Sequence, residues 1–230
     1  MAILPPNRKN KCWRDTHKTF NRCLVTLSST LPFSPAANRN KQPILEVLLR
    51  VLPSAGNALE IASGTGQHVA WFAQHMPAWQ WQPTDTYADA MHSIAAYAEQ
   101  AGVTNVQPPV LLDVLADHWL PAEARFDAIY CANMLHISPW STCTALMQGA
   151  VRHLTPGGAL ITYGPYLEDE VVTAQGNLDF DRKLRAENPA WGIRRREDVE
   201  TIAAQSGLVP ANRFAMPANN LLLFWQRATT

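Results

Sequence analysis

The chain has little of several features that mark specialised classes of protein. Its 230 residues include only four cysteines, and these form no C-x-x-C pair, which argues against a disulfide scaffold and a zinc module. No apolar run reaches the roughly 18 residues that a bilayer-spanning helix needs. Basic and acidic residues number 19 each, so no net charge attracts nucleic acid or anionic lipid. We therefore expect a cytoplasmic protein with free thiols that binds neither membrane nor nucleic acid.

What the chain does contain is enough apolar material for a large core. It is 47% hydrophobic and 17% charged, as expected for one ordered domain. Basic residues are concentrated at the start, where six Lys or Arg precede residue 34 and Asp15 is the single acid. Such a leader can be a transit peptide, a nucleic-acid arm or an unfolded extension, and Pro5-Pro6 favours the last. We predict a basic extension over residues 1–33 and one domain over residues 34–230.

From Ser34 onward, strand and helix patterns alternate. This alternation is typical of an α/β fold in which helices cover both faces of a parallel sheet. The apolar runs predict strands at 57–63, 79–85, 106–113, 126–133, 159–164 and 220–226. The 106–113 strand is the weakest because it contains two prolines. Helical periodicity predicts helices at 38–52 with Pro43 in the first turn, at 67–76 and 88–101, at 138–154 with Ser138 as N-cap and Pro139 at the first position, and at 196–206.

One long segment fits neither pattern. Residues 165–193 are mostly polar, and connections of this length are usually functional lids or disordered. The aromatic residues Phe180 and Trp191 argue against complete disorder. We predict a lid that contains a short helix near Asp179 to Ala186.

The turn after the first predicted strand runs from Glu60 to Gly66 and leads directly into a helix. Its glycines let the backbone approach a ligand, and the helix start offers free N–H groups. A nucleoside triphosphate would need a lysine after the last glycine, and none is present. A dinucleotide would need a third glycine where this chain has Val69, which disfavours an NAD-dependent oxidoreductase.

S-adenosylmethionine fits this turn better, because its amino-acid end carries an ammonium that Glu60 can contact. Asp85 ends the second predicted strand, where a carboxylate can accept hydrogen bonds from both ribose hydroxyls. Asp113 follows the third and is placed to accept from the adenine amino group. Taken singly, each acid could be only a helix cap, but three at successive strand ends are a specific signal. The predicted cofactor-binding residues are Glu60, Ala62, Gly64, Gly66, Asp85, Asp113, Val114 and Asn133.

The chain also resembles a known family. The segments that carry the resemblance are "SPAANRNKQPIL", "LEIASGTGQH", "FDAIYCANMLHISPW", "LTPGGALITYGPY", "WGIR" and "PANN". They are similar to class I S-adenosylmethionine-dependent methyltransferases, and in particular to the DUF938 family, to which methyltransferase-like protein 26 also belongs. The resemblance covers roughly Ser34 to Arg227. It implies a doubly wound, mostly parallel, seven-stranded Rossmann-like sheet whose last strand is antiparallel, with S-adenosylmethionine held by the glycine turn, Asp85 and Asp113.

A sulfonium methyl is already activated, so the protein mainly has to align the acceptor, exclude water and accept a proton. The candidates for catalysis are His136, after the fourth predicted strand, and Tyr163, after the fifth. His136 has a suitable intrinsic pKa for a general base. It could equally be a histidine whose hydrogen bonds are satisfied by backbone groups at a helix start. The candidates for substrate binding are Arg39, Asn40, Tyr166 and Arg194. No metal is expected, because the other histidines lack metal-ligand spacing.

Two functions remain open for this fold. The first is methyl transfer to a small-molecule acceptor. The second is a non-catalytic cofactor-binding or scaffold protein, because Asn133-Met-Leu-His136 is not the N/D-P-P-Y motif of amino-methylating enzymes.

Overall fold

A computed structural model describes residues 31–227 of the chain, and these form one α/β unit. The helices of this part are α1 Pro35–Val51, α2 Gln67–His75, α3 Ala88–Gln100, α4 Ser141–His153, α5 Gln175–Glu187 and α6 Arg196–Gln205, with short 3₁₀ turns at Met134–His136 and Pro217–Asn219. The strands are β1 Gly56–Ile61, β2 Trp79–Asp85, β3 Val110–Leu111, β4 Phe126–Ala132, β5 Leu154–Leu167, β6 Arg194–Arg195, β7 Leu208–Met216 and β8 Asn220–Arg227.

The strands form one sheet in the order β3-β2-β1-β4-β5-β8-β7, and the short β6 pairs with the end of β5. The pairings among the first six strands are parallel, whereas β8 runs antiparallel to both β5 and β7. The strand order reverses between β1 and β4, which is where open α/β sheets bind ligands. The predicted doubly wound sheet with an antiparallel last strand is confirmed.

Apolar side chains cover both faces of the sheet. One cluster joins the sheet to α1, α2 and α3 through residues such as Leu48, Val69 and Ile94. The other joins it to α4 and α6 through Leu146 and Val199. Because successive strand residues point to opposite faces, the same alternation decides on which side of the sheet each functional side chain lies.

Several predicted boundaries are wrong. The first helix begins at Pro35, since the Ser34 side chain accepts a hydrogen bond from the Ala37 N–H (3.2 Å), so Pro43 lies inside the helix and not in its first turn. The fourth helix begins at Ser141, because the Ser138 hydroxyl instead contacts the Met134 carbonyl (2.7 Å) and the Thr142 hydroxyl (2.6 Å).

The strand predictions also differ from the structure. The third strand shrinks to Val110–Leu111, as its prolines suggest, while the fifth extends to Leu154–Leu167. The strand Leu208–Met216 was not recognised, because it is an edge strand whose residues are mostly exposed and it contains Pro210. The predicted lid does contain a helix, which is longer than expected and spans Gln175–Glu187.

Gly149 in α4 gives a direct test of core packing. A Cβ at this position would lie 2.0 Å from Cζ2 of the buried Trp119 indole. We expect Gly149→Ala to lower the free energy of unfolding by roughly 1–3 kcal/mol, although alanine is the better helix former. Urea unfolding measures this, with Gly176→Ala in α5 as the control, because a Cβ there meets no atom within 4 Å. Equal stability of the two variants would contradict the close packing.

Candidate functional site

The turn between β1 and α2 needs its two glycines for different reasons. Gly66 has φ +90°, and a Cβ there would lie 2.6 Å from the Ile94 Cα of α3, so any side chain would push α3 away. Gly64 has φ +58° and open space beyond it, since a Cβ there would meet nothing within 4 Å. Ala62 also adopts a left-handed conformation (φ 56°), a strain of roughly 1–3 kcal/mol of the kind found at ligand sites. The turn thus packs closely against α3 at Gly66 and leaves open space beside Gly64.

Asp85 connects this turn to the end of β2. Its Oδ2 accepts a hydrogen bond from the Gly64 N–H (2.8 Å), and its Oδ1 accepts one from the Tyr87 N–H (3.0 Å). Each carboxylate oxygen can accept a second hydrogen bond, so the buried group still has capacity for two hydroxyl donors. Asp85 therefore positions the turn and remains available to a ligand.

Glu60, at the end of β1, is 2% exposed. Its Oε2 has no hydrogen-bond partner among the described residues. Burial raises the pKa of this carboxyl to about 8; a hydrogen bond with Ser63 opposes the rise, and the charge of Asp85 adds to it. A buried carboxylate with an unused oxygen is costly unless a donor or a cation arrives.

Asp113 and Val114 follow β3, which has only two residues. Asp113 is exposed, and its Oδ1 accepts a hydrogen bond from the Leu115 N–H (2.9 Å). Val114 is buried, and its carbonyl accepts from the Trp119 indole N–H (3.0 Å). Both residues follow a strand that pairs Leu111 with Asp85, which places them beside the β2 end.

Asn133 and His136 lie at the end of β4. Asn133 is left-handed (φ 60°), donates its N–H to the Tyr163 carbonyl (2.7 Å) and accepts from the His136 N–H (3.0 Å). The His136 ring lies over Gly164, where a Cβ would be 2.4 Å from Nε2, and meets the Tyr166 ring edge to face at 5.0 Å between centroids. The imidazole therefore occupies space that a side chain at residue 164 would fill.

His136 is 1% exposed, and neither ring nitrogen has a hydrogen-bond partner in the part of the chain that the structure describes. Burial, followed by the charge of Arg194, lowers its pKa to about 3, so the ring is neutral. The role of general base stays a prediction. The Gly192 backbone lies close enough to the ring to oppose this fall in pKa, so the alternative of a histidine satisfied by backbone groups at a helix start also stays a prediction.

Arg194 holds the lid segment to the loop that carries His136. Its Nε donates to the Leu135 carbonyl (2.9 Å), and its Nη2 donates to the carbonyls of Ser138 (2.6 Å) and Ala190 (2.8 Å). The Gly192 N–H adds a bond to the His136 carbonyl (2.9 Å). Only the Nη1 donors of Arg194 are left for a substrate, so its main contacts position the loop.

The other end of the lid is held by the "PANN" segment. The Ala174 N–H donates to Asn219 Oδ1 (3.0 Å), and Asn177 Nδ2 donates to the Asn219 carbonyl (2.8 Å). Asn219 is left-handed, with φ 54°. The segment thus anchors the start of α5.

Tyr163 and Tyr166 lie on opposite faces of the sheet. The Tyr166 hydroxyl pairs with the Thr162 hydroxyl (2.8 Å) beneath α4 and α6, where its substrate role remains untested. Tyr163 lies beneath α1, where burial raises its pKa while a hydrogen bond from the Asn40 side chain and the charge of Arg39 lower it. Tyr163 thus lies on the face of the sheet that α1 covers, which is also the Glu60 side.

His68, the second residue of α2, was not predicted from the sequence. Its Nε2 lies 2.7 Å from Asn40 Oδ1, and its Nδ1 lies 3.4 Å from the Tyr130 hydroxyl. Tyr130 pairs in register with Glu60 across β1 and β4. A histidine two residues after Gly66, at the start of a mostly apolar helix, was the signal available in the sequence.

The sheet order, with its glycine turn after β1, is the fold of the class I methyltransferases. The model of the DUF938 family, described as a protein of unknown function, matches residues 31–227. The chain belongs to that family. The expected family membership is confirmed.

Solved structures share the fold at low sequence identity. An O-methyltransferase family protein from Burkholderia thailandensis matches with a TM-score of 0.68 at 20% identity, over 84% of this chain and 58% of that one. An O-methyltransferase family 2 protein from Planctomyces limnophilus, in complex with apigenin, gives 0.70 at 19% identity over 84% and 60%. The mitomycin 7-O-methyltransferase MmcR gives 0.72 at 14% identity over 84% and 55%. The chain spans less than two thirds of the length of each.

The described residues contain neither a membrane-spanning helix nor a cluster of metal ligands. Among residues 31–227, no helix combines the length and apolar character that crossing a bilayer requires. In the same range, no group of three or more His, Cys, Asp or Glu side chains is arranged to hold a metal ion.

Proposed function

We propose that the protein transfers the methyl group of S-adenosylmethionine to a hydroxyl group of a small molecule. The observation that carries this proposal is the unpartnered Oε2 of buried Glu60, which lies near the open turn at Gly64. A ligand for this place needs a cationic donor at one end and hydroxyl groups for Asp85 at the other. The cofactor combines both.

The residues present fit the cofactor. Glu60 would hold the ammonium of its amino-acid end, Asp85 the two ribose hydroxyls and Asp113 the adenine amino group. Ala62, Gly64, Gly66, Val114 and Asn133 would form the surrounding wall. Bound there, the cofactor supplies a methyl group already activated by its sulfonium. The protein then has to align the acceptor, exclude water and receive one proton.

His136 is the residue we propose to receive that proton, at Nε2. The ring is neutral in the free protein, and a pKa of about 3 makes it a weak base there, so the proposed role requires that opening of the lid segment relieves the burial that lowers this pKa. Access to the ring requires movement of the lid segment 165–193. That segment carries the exposed apolar side chains Val172 and Phe180, which suit an apolar acceptor. The small-molecule O-methyltransferases of the same fold support a hydroxyl as the acceptor group.

The test is calorimetry followed by a transfer assay. Purified protein should bind S-adenosylhomocysteine at micromolar strength and pass a labelled methyl group from S-adenosylmethionine to a small-molecule fraction of cell extract. Absence of any binding would overturn the proposal. Binding without transfer would favour the non-catalytic alternative, for which the complete burial of His136 is the supporting observation. Titration with NADH tests the oxidoreductase alternative, which the buried Val69 disfavours.

The pKa of Glu60 predicts a pH dependence of binding. The carboxyl is protonated below about pH 8 in the free protein, but must be ionised to pair with an ammonium. Binding at pH 7 should therefore release close to one proton, and S-adenosylhomocysteine affinity should fall up to about tenfold per pH unit below 8. Calorimetry in buffers of different ionisation enthalpy measures the released proton, and Glu60→Gln should remove both effects. A pH-independent affinity in the wild-type protein would contradict this assignment.

The same shift affects folding. Because the native state binds the Glu60 proton more tightly than the unfolded chain, stability declines as pH rises from about 4.5 to about 8. Relative to Glu60→Gln, the wild-type protein should lose stability across that window. Urea unfolding at several pH values measures the difference.

A further inference from the structure

The lid segment is attached firmly near both of its ends. Near its start, the Glu168 carboxylate pairs with the guanidinium groups of Arg196 (2.8 Å) and Arg213 (2.6 Å). Toward its other end, Oδ1 of Asp181 in α5 accepts a hydrogen bond from the N–H of the buried Ile193 (2.7 Å). The second half of α5 is therefore joined to the chain that leads into α6.

Residues 170–180, the flap, lie between these two attachments. Four apolar side chains of the flap are each more than a third exposed: Val171, Val172, Leu178 and Phe180. Among residues 31–227, the hydrogen bonds that join the flap to the chain beyond the lid segment all end on Asn219. Its Oδ1 accepts from the Ala174 N–H (3.0 Å), and its carbonyl accepts from Asn177 Nδ2 (2.8 Å). One residue thus provides these polar attachments of the flap.

Asn219 belongs to a turn with an unfavourable backbone conformation. Ala218 (φ 58°) and Asn219 (φ 54°) are both left-handed, although neither is glycine. Such residues persist only where their surroundings determine them, and they are concentrated at ligand clamps and switch regions. Asn220 Nδ2 closes the turn by donating to the Pro217 carbonyl (2.9 Å). The turn thereby directs both the side chain and the carbonyl of Asn219 to the start of α5.

The flap lies at the edge of the sheet that carries the proposed site. Asn220, next to Asn219, pairs with Pro165 near the carboxyl end of β5. The far end of the lid segment reaches the loop after β4, where the Gly192 N–H donates to the His136 carbonyl. Because β4 and β8 are the two neighbours of β5, α5 spans the end of that strand. A methyl acceptor bound near His136 would lie beside this helix.

We propose that Asn219 is a positioning residue that latches the flap, and that the flap leaves Asn219 to admit the methyl acceptor and then closes over it. The inference rests on the proposed function and deepens it, since it assigns the opening of the lid segment to residues 170–180. The acceptor it fits is apolar, because closure over such a molecule removes the exposed side chains of the flap from water.

Hydrogen exchange followed by mass spectrometry tests the latch without an acceptor. Asn219→Gly suits the left-handed turn but removes the side-chain oxygen, so exchange in residues 170–180 should become roughly 3- to 10-fold faster. Exchange in residues 181–187 should stay unchanged. Asn219→Asp keeps acceptor oxygens and should hold exchange at or below the wild-type rate. Ala218→Gly alters the same turn without removing a polar group, and is the matched control.

The transfer assay tests the positioning role. The active small-molecule fraction of cell extract serves as the source of acceptor. Asn219→Gly should raise the amount of this fraction needed for the half-maximal rate by about 3- to 10-fold, and Asn219→Asp should restore it. The affinity for S-adenosylhomocysteine should stay unchanged, because the latch lies beside β8 and not beside β1 and β2.

The outcomes separate this inference from the proposed function. Wild-type protein that binds no S-adenosylhomocysteine overturns the proposed function and the role in acceptor positioning, while hydrogen exchange still decides whether Asn219 latches the flap. Unchanged exchange in Asn219→Gly, with intact S-adenosylhomocysteine binding, overturns the inference alone. Faster exchange along the whole chain, or an equal effect of Ala218→Gly, would show a merely structural role and overturn it. Faster exchange confined to the flap, with an unchanged need for acceptor, overturns the positioning role.

Discussion

Replacing His136 with phenylalanine is expected to lower the rate of methyl transfer about 10²- to 10⁴-fold without destabilising the protein. Phenylalanine keeps a ring against Tyr166 and above Gly164. It removes two nitrogens that have no hydrogen-bond partner among residues 31–227, so the free energy of unfolding should stay equal or rise. A variant that loses transfer rate but keeps its free energy of unfolding identifies a side chain that serves catalysis and does not stabilise the fold.

Single-turnover transfer of labelled methyl and urea unfolding measure the two effects. His153→Phe is the matched control, because His153 is also buried but its Nδ1 contacts the Ala124 carbonyl (3.1 Å). That variant should lose stability and keep the transfer rate, the reverse of His136→Phe. A His136→Phe protein with the full transfer rate would require a different proton acceptor.

The pKa of His136 predicts that the difference in unfolding free energy between wild-type protein and His136→Phe depends on pH. In the unfolded chain the ring titrates near 6.5, whereas burial lowers its pKa to about 3 in the folded protein. The unfolded chain therefore binds more protons at this residue between these values, and the contribution of His136 to stability falls as the pH decreases from about 6.5 to 3. The difference between wild-type protein and His136→Phe should change across that window and be constant above it.

The central features of the fold could be predicted because they depend on local chemistry. An apolar run followed by Gly64 and Gly66 defines a strand, a tight turn and a helix with few alternatives. The start of α1 could not be predicted from Pro43, because Ser34 caps the helix earlier and a later proline is tolerated within it. The strand Leu208–Met216 has mostly exposed residues and pairs only at the edge, so its sequence lacks the alternation that marks a half-buried strand.

The candidate site divides in the same way. Glu60 and Asp85 were predictable because parallel strands end at the same edge of the sheet. The contact of His68 with Asn40 joins residues 28 positions apart and depends on how α1 packs on α2. Arg194 was predicted to face a substrate, but most of its donors contact carbonyls from 4 to 59 positions away. Sequence periodicity places a residue at an edge, whereas only packing decides what its polar atoms contact.

The second large effect is expected from Asp85→Asn, which should weaken S-adenosylhomocysteine binding roughly 10- to 150-fold. Asparagine has the same shape but replaces one acceptor oxygen with an N–H₂ group. In the wild-type protein the Gly64 and Tyr87 N–H groups each donate to one carboxylate oxygen of Asp85. In either orientation of the asparagine amide, its N–H₂ group faces one of these two N–H donors, and that hydrogen bond is lost. The turn loses one fixing bond and the ligand loses one charge-assisted acceptor, about 1.5–3 kcal/mol each.

Asp127→Asn provides the control that separates binding from folding. Asp127 also accepts from a backbone N–H, that of Asn57 (2.9 Å), and from the Thr155 hydroxyl (3.1 Å), but it lies where β1 and β4 begin, at the opposite edge of the sheet. Asp127→Asn can keep both contacts, because its amide oxygen can accept from the Asn57 N–H while its N–H₂ donates to the Thr155 hydroxyl, so it should lose less free energy of unfolding than Asp85→Asn. Only Asp85→Asn should lose affinity in calorimetry. Equal affinity of the two variants would mean that the carboxyl ends of the strands do not hold the cofactor.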